Sequence, residues 1–189
     1  MSLSIVWLVC YCVWVGSEIF IGIATRTRKS SGNVRDRGTI ILLWVVLFTS
    51  ITAGVWFSDA KGTNLPGGAH WLKPASLFVL LAGLTLRWWA IVSLGKSFSS
   101  NVAIHATQRV LKTGLYRWMR HPSYTGLLLC IFAVALHTRN WISFLIIIFP
   151  CFAAVLYRIH VEEAALRDHF GPEYAEYSRR TKRLVPGVY

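Results

Sequence analysis

Two short segments of this chain concentrate side chains that could do chemistry at the edges of long apolar stretches. RWMRHPSYTG, residues 117–126, places a histidine and a proline directly before an apolar run. YRIHVEEAALRDHFGPEYAEY, residues 157–177, follows an apolar run and carries Arg158 four residues before Glu162, with Glu163 next to it. Lipid-facing helices usually begin and end with fewer polar groups, so these two segments are the first candidates for a functional site.

Pro122 restricts the backbone of the first segment. Proline disfavours a helical conformation of the preceding residue and suits the first turn of a helix, where its missing N–H costs nothing. We therefore expect a helix to begin at Pro122, with His121 just outside it. The free N–H groups at such a helix start can bind an anionic group of a ligand. The same spacing is also typical of a plain helix start with interfacial aromatic rings and arginines that reach toward water.

In the second segment, we expect one helix to carry Arg158, Glu162 and Glu163 out of the membrane. Arg158 and Glu162 could simply form an ion pair, although the order with the cation first is the weaker one. The alternative reading, an amphipathic tail at the membrane surface, explains less well why Arg158 stands as a fixed charge at the end of an apolar span.

The end of the second segment predicts two consecutive helices. Gly171 is expected to end one helix and Pro172 to start the next. Tyr174 and Tyr177 fall on one face of the later helix, and we expect that face to lie against the membrane surface.

The composition indicates where the protein works. The chain has 189 residues, enough for one domain, of which 54% are hydrophobic, and its formal net charge is +12. A soluble domain of this size could not bury so much apolar surface. A nucleic-acid binder would also be basic but would not carry several long apolar runs, so no nucleic-acid partner is expected. The sequence therefore predicts an integral membrane protein with cationic loops.

The four cysteines predict neither a metal site nor a disulfide framework. All four fall inside apolar runs, and no histidine or second cysteine stands at metal-ligand spacing from any of them. We interpret them as small buried hydrophobic residues, and we expect no metal.

The apolar regions predict five transmembrane helices in an all-α protein. Residues 3–24, 39–57 and 71–94 can each span a membrane, whereas residues 124–159 are too many for one helix. Arg139 and Asn140 divide the last region into a helical hairpin, and Pro150 should kink its second arm. The N-terminal stretch lacks a basic start and a cleavage site, so we expect it to be a retained helix rather than a signal peptide.

The charges of the loops predict the orientation. Basic residues gather in segments 25–38 and 95–123 and in the tail from Arg158 onward, which are alternate loops. The positive-inside rule then puts the N-terminus outside and the C-terminus in the cytoplasm. The hairpin would bring both polar segments together on the cytoplasmic face, in a pocket closed by the C-terminal helices. Arg87 and Glu18 lie inside apolar runs, where snorkelling to the boundary is expected and a place in a substrate cavity is the alternative.

The two segments together resemble a known enzyme family. RVLKTGLYRWMRHPSYTG, followed by the predicted hairpin and then by RIHVEEAALRDHFGPEYAEY, is similar to the isoprenylcysteine carboxyl methyltransferase family of membrane enzymes. The shared features are the RHPSY block, an arginine four residues before a glutamate pair, and the closing pattern FGxEYxxY. The resemblance covers roughly residues 96–186, and the first two spans add nothing to it.

The resemblance implies S-adenosylmethionine as the cofactor. It implies cofactor contacts at positions that match the family's binding residues, namely Asn101, Gln108, Arg109, Val110, Leu111, Tyr116, His121, Pro122, Ser123, Tyr124 and Glu162. Gln108 stands where the eukaryotic enzymes carry a histidine. Arg158 matches the arginine that faces the methyl acceptor.

The chemistry of methyl transfer fits these residue types. Transfer from a sulfonium needs alignment and desolvation more than acid–base catalysis. A carboxylate acceptor is already a nucleophile, and Arg158 could hold it through two hydrogen bonds. An amine acceptor would arrive protonated and need a base, for which Glu163 is the candidate. Arg158 and Glu163 are therefore the predicted catalytic residues.

The expected substrate is a lipophilic small molecule or a lipidated acceptor that enters from the membrane lipid. A chain of this length resembles the prokaryotic members, so we expect the protein in a prokaryotic inner membrane. In that setting the acceptor could be a lipid-like acid, an amine headgroup or a small amphiphile. We expect one domain, with three spans in residues 1–94 and the cofactor-binding part in residues 95–189.

Three other functions remain open at the level of the sequence. Membrane sterol and steroid reductases that use NADPH carry a similar RHPxY block, but the acidic pair and the FGxEYxxY tail favour the methyltransferase. A phospholipid N-methyltransferase would share the cofactor. A small transporter or partner subunit would be no enzyme, although the chain shows neither an internal repeat nor paired broken helices.

Overall fold

The structure is a computed structural model that describes residues 2–25, 33–34, 38–59, 63–65, 70–95, 103–104 and 110–187. The described residues form helices in the order α1 (Leu3–Ala24), α2 (Thr39–Trp56), α3 (Leu72–Leu94), α4 (Pro122–His137), α5 (Trp141–Phe170) and α6 (Pro172–Arg180). Short 3-10 helices cover Phe57–Asp59 and Gly114–Arg117. Strands β1 (Asn33–Val34) and β2 (Ala103–Ile104) form a small antiparallel pair.

Four of these helices are long and apolar enough to cross a membrane, namely α1, α2 with its 3-10 extension, α3 and α5. Their outward faces carry large apolar side chains, such as Phe48, which is 74% exposed, and Trp56, which is 82% exposed. Such faces are stable in lipid and not in water. The prediction of a helical integral membrane protein is confirmed. Helix α4 has 16 residues, fewer than the ~20 that a full crossing needs.

Local sequence signals set the predicted helix ends. Helix α4 begins at Pro122 with His121 as its N-cap residue, and α5 ends at Gly171, whose φ of 54° lies in the left-handed region that glycine tolerates. Helix α6 then begins at Pro172. All three boundaries agree with the sequence prediction, because they depend on the backbone preferences of single residues.

Asn140 joins α4 to α5 and ties both to the end of α2. Its side-chain oxygen accepts a hydrogen bond from the backbone N–H of Ser143 at 3.1 Å, which caps α5. Its amide nitrogen donates to the carbonyl oxygens of Phe57 and Ser58, both at 3.3 Å, and to the hydroxyl of Thr63. The side chain is buried, so these partners satisfy polar atoms that water cannot reach.

Helices α3 and α4 pack with their backbones in contact. A Cβ atom at Gly126 would lie 2.6 Å from the backbone nitrogen of Arg87, and one at Gly83 would lie 2.9 Å from the backbone nitrogen of Cys130. No larger residue fits at either position without separating the two helices. This contact fixes the first turns of α4 relative to α3.

The expected place of Tyr174 and Tyr177 at the membrane surface is wrong. Both side chains are buried, and the Tyr177 hydroxyl donates to the carbonyl oxygen of Tyr116 at 2.7 Å. Burial raises the pKa of Tyr177 to about 12, so the hydroxyl keeps the proton that it donates. The two tyrosines do share one face of α6, but this face packs on the protein, where the Tyr177 hydroxyl reaches the Tyr116 carbonyl oxygen.

Snorkelling of Arg87 and Glu18 is also wrong. The Arg87 Nη2 atom donates to the Glu18 Oε2 atom at 2.7 Å, and both side chains are buried inside the protein. Two opposite charges on neighbouring helices satisfy each other, so neither has to reach the membrane boundary.

We predict that Asn140→Ala lowers the free energy of unfolding by about 1–3 kcal/mol, because it removes the cap of α5 and leaves the buried Ser143 N–H without this partner. Denaturant unfolding of the purified protein in detergent would measure the change. Thr49→Ala is the control, since its exposed hydroxyl bonds only within its own helix. A loss no larger for Asn140→Ala than for the control would contradict this role.

Candidate functional site

One hydroxyl group connects the two polar segments. The Tyr124 hydroxyl donates to the Glu162 Oε2 atom at 2.7 Å and accepts from the Arg158 Nε atom at 2.8 Å. The Arg158 Nη1 atom also donates to the hydroxyl of Thr39 at 2.7 Å. Helices α2, α4 and α5 therefore meet at Arg158, which is only 2% exposed.

Glu162 presents a carboxylate that is still available to a ligand. The side chain is half-buried, and its Oε2 atom accepts from Tyr124. Among the described residues, no hydrogen bond is made to its Oε1 atom. A carboxylate oxygen in this state can accept from an ammonium or another cationic donor. The adjacent guanidinium of Arg158 gives the site a second charge of opposite sign.

Glu163 is surrounded by side-chain nitrogens of three arginines and one histidine. Its Oε1 atom accepts from the Arg120 Nε atom at 2.8 Å and lies 3.3 Å from the His121 Nε2 atom. Its Oε2 atom lies 3.2 Å from nitrogens of both Arg167 and Arg183. The side chain is 1% exposed, so this carboxylate is an internal ion-pair centre that joins α5 to the segment before α4 and to the C-terminal tail.

Arg120 does not reach toward water, although the sequence left this open for the arginines before α4. Its guanidinium is nearly buried against Glu163. Its Nη1 atom donates to the carbonyl oxygen of Ser178 at 2.8 Å and to that of Thr181. The feature of the sequence that could have indicated this role is the position of Arg120 directly before His121. Arg117 does lie at the surface, over the ring of Trp118.

The C-terminal tail runs alongside the RHPSY block as a strap, residues 181–184. The backbone N–H groups of Arg120 and His121 donate to the carbonyl oxygens of Lys182 and Arg183 at 2.8 and 3.0 Å. The Thr125 hydroxyl donates to the carbonyl oxygen of Leu184 at 2.8 Å. These bonds satisfy backbone groups just before α4 that the helix itself cannot pair.

Three further predicted contacts lie beside this centre. Pro122 is buried, and the carbonyl oxygen of Ser123 accepts from the Arg87 Nη1 atom at 2.9 Å. The Tyr116 hydroxyl donates to the carbonyl oxygen of Ala90 at 3.2 Å, and burial raises the pKa of Tyr116 well above its ordinary value. Tyr116 therefore stays protonated and positions the short 3-10 helix against α3.

The remaining predicted cofactor contacts precede that 3-10 helix. Val110 and Leu111 are half-buried. Asn101, Gln108 and Arg109 lie outside the described residues. The structure thus brings Tyr124, Glu162 and Arg158 into one hydrogen-bonded group and His121 and Glu163 into a second group directly beside it.

We predict that Glu163→Gln lowers the free energy of unfolding by about 3–5 kcal/mol, because it leaves the buried Arg120 charge without its counter-ion. Equilibrium unfolding in detergent would measure this. Glu176→Gln is the matched control: its carboxylate lies 2.7 Å from Arg180, but both side chains are exposed, so a loss below about 1 kcal/mol is expected. Equal losses in the two variants would show that Glu163 is not an architectural centre.

The region that contains the first segment and the first part of the second matches a family model. Residues 76–168 match the isoprenylcysteine carboxyl methyltransferase family. Protein-S-isoprenylcysteine O-methyltransferase B of Arabidopsis thaliana is 33% identical over 123 residues, which are 62% of this chain and 61% of the relative. The uncharacterized protein YpbQ of Bacillus subtilis is 30% identical over 132 residues, which are 69% of this chain and 73% of the relative.

One further relative matches almost the whole chain, and one solved structure has the same fold. A probable protein-S-isoprenylcysteine O-methyltransferase of Oryza sativa subsp. indica is 25% identical over 93% of this chain and 92% of its own length. The eukaryotic intramembrane Ras methyltransferase has the same fold, with a TM-score of 0.58 and 24% identity over 78% of this chain. This chain spans about half of that protein, 52%. On the family match and the relatives together, the chain belongs to the isoprenylcysteine carboxyl methyltransferase family.

Proposed function

We propose that this chain is an S-adenosylmethionine-dependent membrane methyltransferase that methylates a carboxylate on a lipophilic acceptor. The observation that carries the proposal is the group formed by Arg158, Tyr124 and Glu162. In this group the Tyr124 hydroxyl lies between the fixed guanidinium of Arg158 and the available carboxylate of Glu162. The names of the relatives, protein-S-isoprenylcysteine O-methyltransferases, support the same reaction class.

The residues present fit this cofactor. S-adenosylmethionine carries an ammonium group, and the Oε1 atom of Glu162 makes no hydrogen bond within the described part of the chain. Glu162 would hold that ammonium, and Tyr124 orients the carboxylate by donating to its other oxygen at 2.7 Å. Val110, Leu111, Tyr116 and the block from His121 to Tyr124 would form the wall around the rest of the cofactor. When bound, the cofactor supplies a methyl group activated by the sulfonium.

We propose Asn101, Gln108 and Arg109 as further cofactor contacts. Arg109 directly precedes Val110 in the chain, and Asn101 and Gln108 lie within ten residues before it. This part of the proposal rests on the resemblance of the sequence to the family and not on geometry.

Arg158 would hold the acceptor carboxylate in line with the methyl group. Two hydrogen bonds already fix its guanidinium, from Nε to Tyr124 and from Nη1 to Thr39. A guanidinium fixed in this way can bind a carboxylate without losing further side-chain entropy. Because Arg158 is 2% exposed, an acceptor reaches it only if a neighbouring group moves aside. The same burial excludes water, which strengthens the ionic contact.

Glu163 would act by positioning and not as a base. An amine acceptor would need a base, but the oxygens of Glu163 face Arg120, His121, Arg167 and Arg183. A carboxylate paired with three arginines is a weak proton acceptor. A carboxylate acceptor needs no base, so these contacts favour O-methylation over phospholipid N-methylation.

We also propose the full membrane arrangement. The chain would cross the membrane five times, with α4 and α5 as a helical hairpin, because residues 138–140 alone separate these two helices and they pack together. The alternating basic segments put the N-terminus outside and the cofactor pocket in the cytoplasm, in a prokaryotic inner membrane. The chain would form a single domain, with three spans in residues 1–94 and the cofactor-binding part in residues 95–189. The acceptor, a lipophilic or lipidated molecule, would enter from the lipid between helices.

Ligand stabilisation tests the cofactor class. S-adenosylhomocysteine should raise the melting temperature of the protein in detergent, since a ligand that binds only the folded state stabilises it by mass action. NADPH at the same concentration should have no effect. The reverse result would support a sterol-type reductase and overturn the proposal.

Two substitutions separate acceptor binding from cofactor binding. Arg158→Ala should abolish methyl transfer to acceptors in a total lipid extract and leave the S-adenosylhomocysteine dissociation constant within about threefold. Glu162→Gln should weaken S-adenosylhomocysteine about tenfold or more, because an ionic hydrogen bond becomes a neutral one. Glu176→Gln is the control for both measurements. If Arg158→Ala removes cofactor binding instead, the two assigned roles are wrong.

The labelled product tests the acceptor. With S-adenosylmethionine labelled in the methyl group, a methyl ester releases its label in mild base and an N-methyl group does not. A base-stable label would contradict the proposed carboxylate acceptor.

A further inference from the structure

Glu18 and Arg87 form an ion pair between α1 and α3 that the proposed chemistry does not use. The guanidinium contacts the carboxylate through two nitrogens, Nε to Oε1 and Nη2 to Oε2, the second at 2.7 Å. The side chains are 5% and 8% exposed. Charged residues inside apolar spans are costly, and those that occur usually serve a site. This pair therefore requires an explanation beyond the packing of two helices.

The third nitrogen of the same guanidinium leads to the proposed cofactor wall. The Arg87 Nη1 atom donates to the carbonyl oxygen of Ser123 at 2.9 Å. Ser123 lies in the first turn of α4, between His121 and Tyr124 in the chain. An arginine has a rigid planar fork, so the two bonds to Glu18 set the direction in which Nη1 points.

The surrounding backbone leaves Arg87 little freedom. Helix α4 approaches so closely that a Cβ atom on Gly126 would lie 2.6 Å from the Arg87 backbone nitrogen. The base of the side chain is thus held by the contact of α3 with α4, and its tip is held by Glu18. Buried ion pairs often add little stability compared with apolar residues of similar volume, so a positional role accounts better for this pair than stability does.

We infer that Glu18 and Arg87 are positioning residues for the cofactor site. Glu18 orients the guanidinium, and Arg87 holds the Ser123 carbonyl and with it the first turn of α4. This inference rests on the proposed function, since it assumes that the block from His121 to Tyr124 contacts the cofactor. Glu18 lies outside the matched residues 76–168, so α1 contributes to the site from a part of the chain that the family match does not include.

The variant Arg87→Lys distinguishes the contact of Arg87 with Glu18 from its contact with the Ser123 carbonyl oxygen. Lysine keeps the positive charge beside Glu18, but its single ammonium cannot bond the carboxylate in a fork and also reach the Ser123 carbonyl. We expect the dissociation constant for S-adenosylhomocysteine, measured by calorimetry on the full chain in detergent, to rise about tenfold, which corresponds to one lost hydrogen bond. The KM for the acceptor should stay within twofold. Glu18→Gln should act in the same direction, and Glu176→Gln should change neither constant.

A charge swap distinguishes positioning from plain structural support. The double variant Glu18→Arg with Arg87→Glu restores an ion pair, but position 87 no longer carries a donor for the Ser123 carbonyl. We expect its melting temperature to recover relative to the single variant Arg87→Glu, while S-adenosylhomocysteine binding stays weak. If the double variant recovers both its melting temperature and its S-adenosylhomocysteine binding, the inference is overturned. It is also overturned if Arg87→Lys raises the acceptor KM as much as the S-adenosylhomocysteine dissociation constant. Neither result would overturn the proposed function. A wild-type chain that binds no S-adenosylhomocysteine would instead overturn the proposed function.

Discussion

The buried carboxylate of Glu163 is the constraint on which the rest of the site depends. A carboxylate that is 1% exposed is costly unless cations surround it. The cations come from three places: Arg120 before α4, beside the His121 ring, Arg167 one turn further along α5, and Arg183 in the strap. Pairing them with one carboxylate forces the end of α5, the start of α4 and the C-terminal tail to meet.

The neighbouring acid has the opposite character. Glu162 is half-buried, shares a hydrogen bond with Tyr124 and keeps one oxygen without a hydrogen bond from the described residues. Consecutive residues of a helix point about 100° apart, so the two acids face different surroundings. One acid therefore holds the architecture together, and the other remains available to a ligand. This division is why a pair of glutamates can serve one site without competing for the same partners.

The RHPSY block is held on two sides by charges that belong to other helices. Glu163 holds Arg120, the first residue of the block, from the side of α5, and Arg87 binds the Ser123 carbonyl from the side of α3. Both contacts are buried, so water competes little for these hydrogen bonds. A helix start held in this way is a rigid surface, and rigidity is the property that alignment of a methyl transfer needs.

The sequence by itself determined the helices, their ends at Pro122 and Gly171, the membrane environment and the family, because these depend on apolar length, local backbone preference and motif order. It also predicted a set of candidate site residues. Only the tertiary structure decided the partner of each charge. Arg87 pairs with Glu18 across 69 positions, Arg120 with Glu163 across 43, and Tyr177 with Tyr116 across 61. No local pattern specifies such pairs, since they depend on which helix faces pack together.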